Sequence, residues 1–143
     1  MIQKFIEKGY EIVNHTEKAD IYIVNTCTVT NMSDRKSRQM LRKQKQINPY
    51  SLVVACGCYA QVAKDELEKI EEIDLVLGNA EKKDIVEIVE KYIEENIEKV
   101  EVADINEKQE FSEFGEVIYS EKTRAVIKVQ DGCDRFCSYC IIP

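Results

Sequence analysis

Gly132 to Pro143 reads GCDRFCSYCIIP and sets Cys133, Cys137 and Cys140 in the spacing C-x-x-x-C-x-x-C. Three thiolates on one short loop can hold three irons of a 4Fe-4S cube and leave the fourth iron open. A closed electron-transfer cluster needs a fourth cysteine in step. An open iron can bind something reactive, and Tyr139, directly before the last cysteine, is in place to touch a flat ligand beside it. Zinc is the competing occupant, but structural zinc sites are almost always four-coordinate. The loop offers three ligands, and the only histidine, His15, lies far away in a polar stretch. A ferredoxin-type cluster wants a further cysteine followed by proline; Pro143 is present with no cysteine before it.

A second group of cysteines sits where secondary structure changes. Ala19 to Val24 (ADIYIV) is an apolar, β-branched run of the kind that forms a buried strand, and it leads into NTCTVTN with Cys27. Ser51 to Ala55 (SLVVA) predicts another strand, ending in CGC with Cys56 and Cys58. Asp74 to Leu77 predicts a third. Helices are expected between them. The first residues place Ile2, Phe5 and Ile6 on one helical face that stops at Gly9. Asn31 or Ser33 caps the next helix, which turns Met40, Leu41 and Ile47 inward and ends at Asn48-Pro49. Tyr59 to Ile73 follows, with Val62, Leu67 and Ile70 apolar. The last runs from Ala80 to about Ile97, with Ile85, Ile88, Val89, Tyr92 and Ile93 inward. Alternating strands and helices imply a parallel α/β sheet covered on both faces. Ligands gather at the carboxyl ends of such strands, which is where Cys27, Cys56 and Cys58 fall.

Beyond these elements, 98–122 reads as an acidic connector with one short strand near Val117. Thr123 to Val129 (TRAVIKV) alternates into a strand that feeds the cysteine loop, as the first strand of a second α/β domain would. The domain reading is therefore 1–97, 98–122 and 123–143. The apolar fraction of 44% provides for a real core. No apolar run has membrane-spanning length and no leader is visible, so a cytoplasmic protein without a membrane partner is expected. Six cysteines in C-x-x-C-like clusters then favour metal over disulfides. A net charge of −7 argues against a general nucleic-acid coat. Charge is uneven, however: Arg35, Lys36, Arg38, Arg42, Lys43 and Lys45 form one basic stretch. It is either a solvated helix face or a local dock for RNA, with Arg38 and Arg42 the candidate contacts.

Taken together, NTCTVTN, CGCYAQ and QDGCDRFCSYCIIP resemble the radical S-adenosylmethionine methylthiotransferase family. NTCTVTNMSDRKSRQMLR and VQDGCDRFCSYCIIP look most like its branch acting on threonylcarbamoyladenosine beside the tRNA anticodon. The resemblance implies a flavodoxin-like domain joined to a radical S-adenosylmethionine barrel, and two 4Fe-4S clusters. Cys133, Cys137 and Cys140 would hold the cluster that chelates and reductively cleaves S-adenosylmethionine, with Tyr139 flanking its adenine. Cys27 and Cys58 would hold an auxiliary cluster concerned with sulfur, and a second S-adenosylmethionine would supply the methyl group. The partners implied are the tRNA anticodon region and an electron donor. The other targets known in the family, isopentenyladenosine in tRNA and a ribosomal protein, remain alternatives, as does a non-catalytic iron-sulfur or zinc module. A bare flavodoxin-like interaction domain is a third reading; bound flavin would support it, yet no Ser/Thr/Gly phosphate loop follows any strand.

The chain departs from the family pattern at its start. The family's first auxiliary ligand precedes the first helix, on a strand central to the sheet, and Met1 falls inside what would be that helix. Cys56 is the one substitute ligand in reach, although a small buried cysteine is its commoner role. A flavodoxin-like sheet without its first strand, and a barrel cut off after its first cluster loop, make a fragment expected to be inactive alone.

Overall fold

A computed structural model of the chain describes residues 1–28, 30–95, 99–103, 129–130, 132–140 and 142. The strands are β1 (Ile21–Thr26), β2 (Leu52–Gly57), β3 (Leu75–Leu77) and β4 (Val100–Glu101), and the helices are α1 (Ile2–Glu7), α2 (Asn31–Ile47), α3 (Cys58–Val62), α4 (Lys64–Glu68) and α5 (Ile85–Glu95). A 3-10 turn over Glu81–Asp84 leads into α5. The strands form one parallel sheet in the order β1-β2-β3-β4.

Because successive strand residues point to opposite faces, each apolar run supplies two cores. On one face Tyr22, Val24, Val53, Ala55 and Val76 pack with Leu41 of α2, Tyr59 and Ala60 of α3, and Leu67 of α4. On the other, Val54, Cys56, Leu75 and Leu77 meet Phe5 of α1 and Ile85, Val86, Ile88 and Val89 of α5. This is the α/β layer with helices on both faces that the alternation implied. β1 pairs directly with β2 along all six residues, from Ile21 opposite Leu52 to Thr26 opposite Gly57. The sheet is therefore continuous where a further central strand was expected.

Several local expectations are corrected. Thr30, not Asn31 or Ser33, caps α2: it is extended, and its hydroxyl accepts the Ser33 amide at 3.1 Å. Leu41 and Gln44 take the inward face of α2, leaving Met40 46% exposed. The expected helix over 59–73 divides at Ala63 into two pieces of five residues. Pieces this short do not hold by propensity; Tyr59, Ala60 and Leu67 dock them on the sheet while Val62 stays exposed. Ile2, Ile6 and Ile93 are also exposed, so Phe5 alone is buried from α1.

The fourth strand lies in the segment read as connector. It is two residues long, and Lys99 fixes its approach. The Lys99 carbonyl accepts the Val76 amide at 2.7 Å, and its ammonium donates to the Glu68 and Ile70 carbonyls. The strands expected near Val117 and over 123–128 lie outside the described residues, and so does most of the connector. Among the described residues no helix is long and apolar enough to cross a membrane.

Candidate metal centres at the strand ends and on the cysteine loop

The register determines what the carboxyl edge of the sheet presents. Asn25 lies opposite Cys56 and Thr26 opposite Gly57, so the two strands end level. The next residues, Cys27 and Cys58, leave neighbouring strand ends, and both are exposed free thiols. Gly57 makes this possible. Its φ of +102° belongs to the left-handed region, and a Cβ there would come within 2.4 Å of the Thr26 carbonyl oxygen and 2.7 Å of Asn25 Oδ1. Only glycine lets β2 approach β1 that closely and still turn at once into α3, with Cys58 as its first residue.

Glycine has no side chain to cap α3, and the neighbouring strand supplies the cap. The hydroxyl of Thr26, itself buried, donates to the Cys56 carbonyl at 2.6 Å and accepts the Ala60 amide at 3.3 Å. One hydroxyl thus ties the end of β1 to the end of β2 and to the first turn of the helix that carries Cys58. Thr26 and Gly57 were not singled out from the sequence. The available signal was a hydroxyl residue directly before Cys27 and a lone glycine between two cysteines.

Cys56 goes the other way. It is fully buried on the α1/α5 face of the sheet, and its Sγ lies 4.0 Å from Asn25 Oδ1. Burial pushes its thiol up to about 11. Metals take the thiolate, whereas burial among Val54, Leu75 and Leu77 favours the neutral thiol of Cys56.

Farther along, the Gln130 side chain donates to the Gly132 carbonyl at 2.7 Å, and Gly132 has a φ of +69°. The Cys140 amide donates to the Cys137 carbonyl at 3.0 Å. That turn keeps the last two cysteines of the loop close in space with both thiols exposed, while Cys133 is half-buried. Tyr139 and Phe136 are 90% and 83% exposed. Among the described residues no three Cys, His, Asp or Glu side chains converge on one metal-ion position. A cube spreads its thiolates over separate irons, so two exposed thiols on one turn and a half-buried third on the same loop are a fitting donor set. His15 is exposed in the segment between α1 and β1.

The basic stretch on α2 divides. Arg38 donates to Glu66 at 3.0 Å and to the Tyr59 hydroxyl, and its guanidinium lies 5.6 Å over the Tyr59 ring. Arg42 pairs with Glu72 at 3.8 Å, and Lys45 with Asp74 at 2.7 Å. Arg35, Lys36 and Lys43 are exposed and form no ion pair among the described residues. A second polar network joins α3 to the chain leaving the sheet. Gln61 donates to the Ala103 carbonyl and accepts the Asn79 amide, both at 2.9 Å, while Glu81 accepts the Ala103 amide at 2.9 Å.

Residues 1–78 match the profile described as "Uncharacterized protein family UPF0004". Over 140 residues the chain is 49% identical to the threonylcarbamoyladenosine tRNA methylthiotransferase MtaB of Aquifex aeolicus (strain VF5), covering 98% of this chain and 34% of the relative. It is 34% identical to the ribosomal protein uS12 methylthiotransferase RimO of Clostridium perfringens (strain SM101 / Type A), covering 96% and 32%. It is 32% identical to the tRNA-2-methylthio-N(6)-dimethylallyladenosine synthase of Rickettsia prowazekii (strain Madrid E), covering 94% and 32%. The chain thus spans about a third of the length of the curated relatives it matches. No solved structure matches it.

Proposed function

Because this chain belongs to the UPF0004 family, whose profile matches residues 1–78 of its 143, we propose that it is part of a tRNA methylthiotransferase. The substrate proposed is threonylcarbamoyladenosine next to the anticodon, and the product carries a methylthio group at carbon 2 of the adenine. The observation that carries the reading is the pairing of two cysteine sets in one chain. Cys27 and Cys58 stand level at adjacent strand ends, and Cys133, Cys137 and Cys140 share one exposed loop. The choice of target rests on the 49% identity to a threonylcarbamoyladenosine enzyme, against 34% and 32% to the other two kinds.

Cys133, Cys137 and Cys140 would hold a 4Fe-4S cluster, which when bound would supply the electron, taken from an external donor, for reductive cleavage of S-adenosylmethionine. Tyr139, free of packing, flanks the cofactor's adenine. Cys27 and Cys58 hold the auxiliary 4Fe-4S cluster, which serves sulfur insertion. Thr26 and Gly57 keep those two thiols in fixed relation, and a third protein ligand comes from outside the pair, since Cys56 faces the opposite core. The residues 123–143 begin the radical S-adenosylmethionine domain, the described chain alone is inactive, and the enzyme works in the cytoplasm.

Nucleoside mass spectrometry of tRNA from the source organism, with the complete gene deleted, tests this. Loss of the methylthio group from threonylcarbamoyladenosine alone is the expected result. Loss from isopentenyladenosine would keep the chemistry and change the target. Survival of both modifications would remove the tRNA assignment.

A further inference from the structure

The basic stretch of α2 is one sequence feature but two surfaces. Arg38, Arg42 and Lys45 lie along the flank where Glu66, Glu72 and Asp74 neutralise them. The outward ridge carries Arg35, Lys36, Gln39, Met40 and Lys43, all exposed. Steps of three and four residues run Lys36, Met40, Lys43 and Arg35, Gln39, Lys43, so these side chains line one side of the helix. The only acid in α2, Asp34, is half-buried and lies off this ridge. A chain of net charge −7 therefore keeps one purely cationic ridge.

We propose that Arg35, Lys36 and Lys43 bind the sugar-phosphate backbone of the substrate tRNA, and that Arg38 and Arg42 instead tie α2 to α3, to α4 and to Glu72 beyond it. This deepens the tRNA methylthiotransferase reading and rests on it. Charge complementarity selects the occupant, because a polyanion gains by counterion release at clustered cations, and none of the acids among the described residues neutralises these three. The length fits as well. From residue 35 to residue 43 the helix rises about 12 Å, long enough to follow more than one phosphate along a strand. Exposed Met40 lies between the cations and offers a ribose or base an apolar contact. The direction matters for function: α2 starts just after the Cys27 strand end, so an RNA strand along the ridge runs toward the carboxyl edge where Cys27 and Cys58 stand.

The test uses the full-length gene product and tRNA purified from the deletion strain, with affinity measured across a salt series. Arg35→Gln/Lys36→Gln/Lys43→Gln should lower affinity about tenfold or more near 0.15 M salt. It should also flatten the slope of log affinity against log salt by about 2, roughly 0.7–0.9 per lost phosphate contact. Its melting temperature should stay at the parent value, because the three side chains are exposed. Lys83→Gln/Lys91→Gln, exposed on the opposite layer, should leave the slope alone. An unchanged slope in the triple variant overturns the proposal. So does a larger loss of affinity in Arg38→Gln/Arg42→Gln than in the triple variant. If the parent restores the methylthio group to tRNA in cells while the triple variant binds normally, the ridge assignment alone falls. A parent that binds no tRNA removes the ridge and the enzyme reading together.

Discussion

The two cysteine groups are held in opposite ways. Cys27 and Cys58 are 31 positions apart in the chain, yet they leave neighbouring strand ends because β1 and β2 pair without offset and Gly57 and Thr26 lock the join. Cys133, Cys137 and Cys140 lie within eight residues, and among the described residues a turn hydrogen bond joins Cys137 and Cys140. In the first group the sheet does the positioning before any metal arrives. In the second, spacing along one short loop does it. A folded scaffold suits a site that must keep a fixed relation to other elements. A compact loop suits one that, as proposed, would leave a neighbouring ring open to a small cofactor.

The largest expected effect separates the two groups by function. In the full-length protein Cys137→Ala should abolish release of 5′-deoxyadenosine from S-adenosylmethionine. Cys27→Ala should leave that release intact and abolish sulfur insertion. If both variants lost both activities, the groups could not be treated as separate centres.

Next comes the scaffold. Gly57→Ala forces a Cβ against the Thr26 carbonyl in a left-handed backbone, and a loss of about 3 kcal/mol or more is expected. Thr26→Val removes two buried hydrogen bonds and should cost about 1–3 kcal/mol. Urea denaturation measures both. No comparable stability change should follow Cys137→Ala in the exposed loop, and one of similar size there would end the contrast between scaffold and spacing.

The smallest effect concerns Cys56→Ala. Loss of one buried sulfur should cost about 1 kcal/mol and leave the iron content and visible absorbance of the reconstituted full-length protein unchanged. A fall in iron content to that of Cys27→Ala would make Cys56 a ligand after all.

Much of the layer was legible in residue order. The runs IYIV, LVVA and LVL announce three buried strands through unbroken apolar, largely β-branched content, and the helical periods between them require both faces to be covered. The misreadings share a cause. Met40, Val62 and Ile93 are apolar residues that periodicity counts as core, but neighbours one or two positions away took the inward places. β4 escaped because two residues in an acidic segment carry no pattern; its pairing depends on Lys99 reaching carbonyls near the end of α4.

The cysteine loop is a local object, and its chemistry follows from spacing within one short segment. The strand-end pair is half local: each cysteine announces itself beside a strand, but nothing in the order of residues says that β1 and β2 are neighbours in register. That nearness comes from packing two apolar faces of the sheet at once. The same packing turned Cys56 into the core and recruited Thr26 as a cap for another element. On α2 it matched three cations with acids on later elements and left the other three to solvent. Charge and ligand capacity are written in residue types, whereas availability is set by what the folded chain brings alongside, because a group already paired or buried has little left to give a partner.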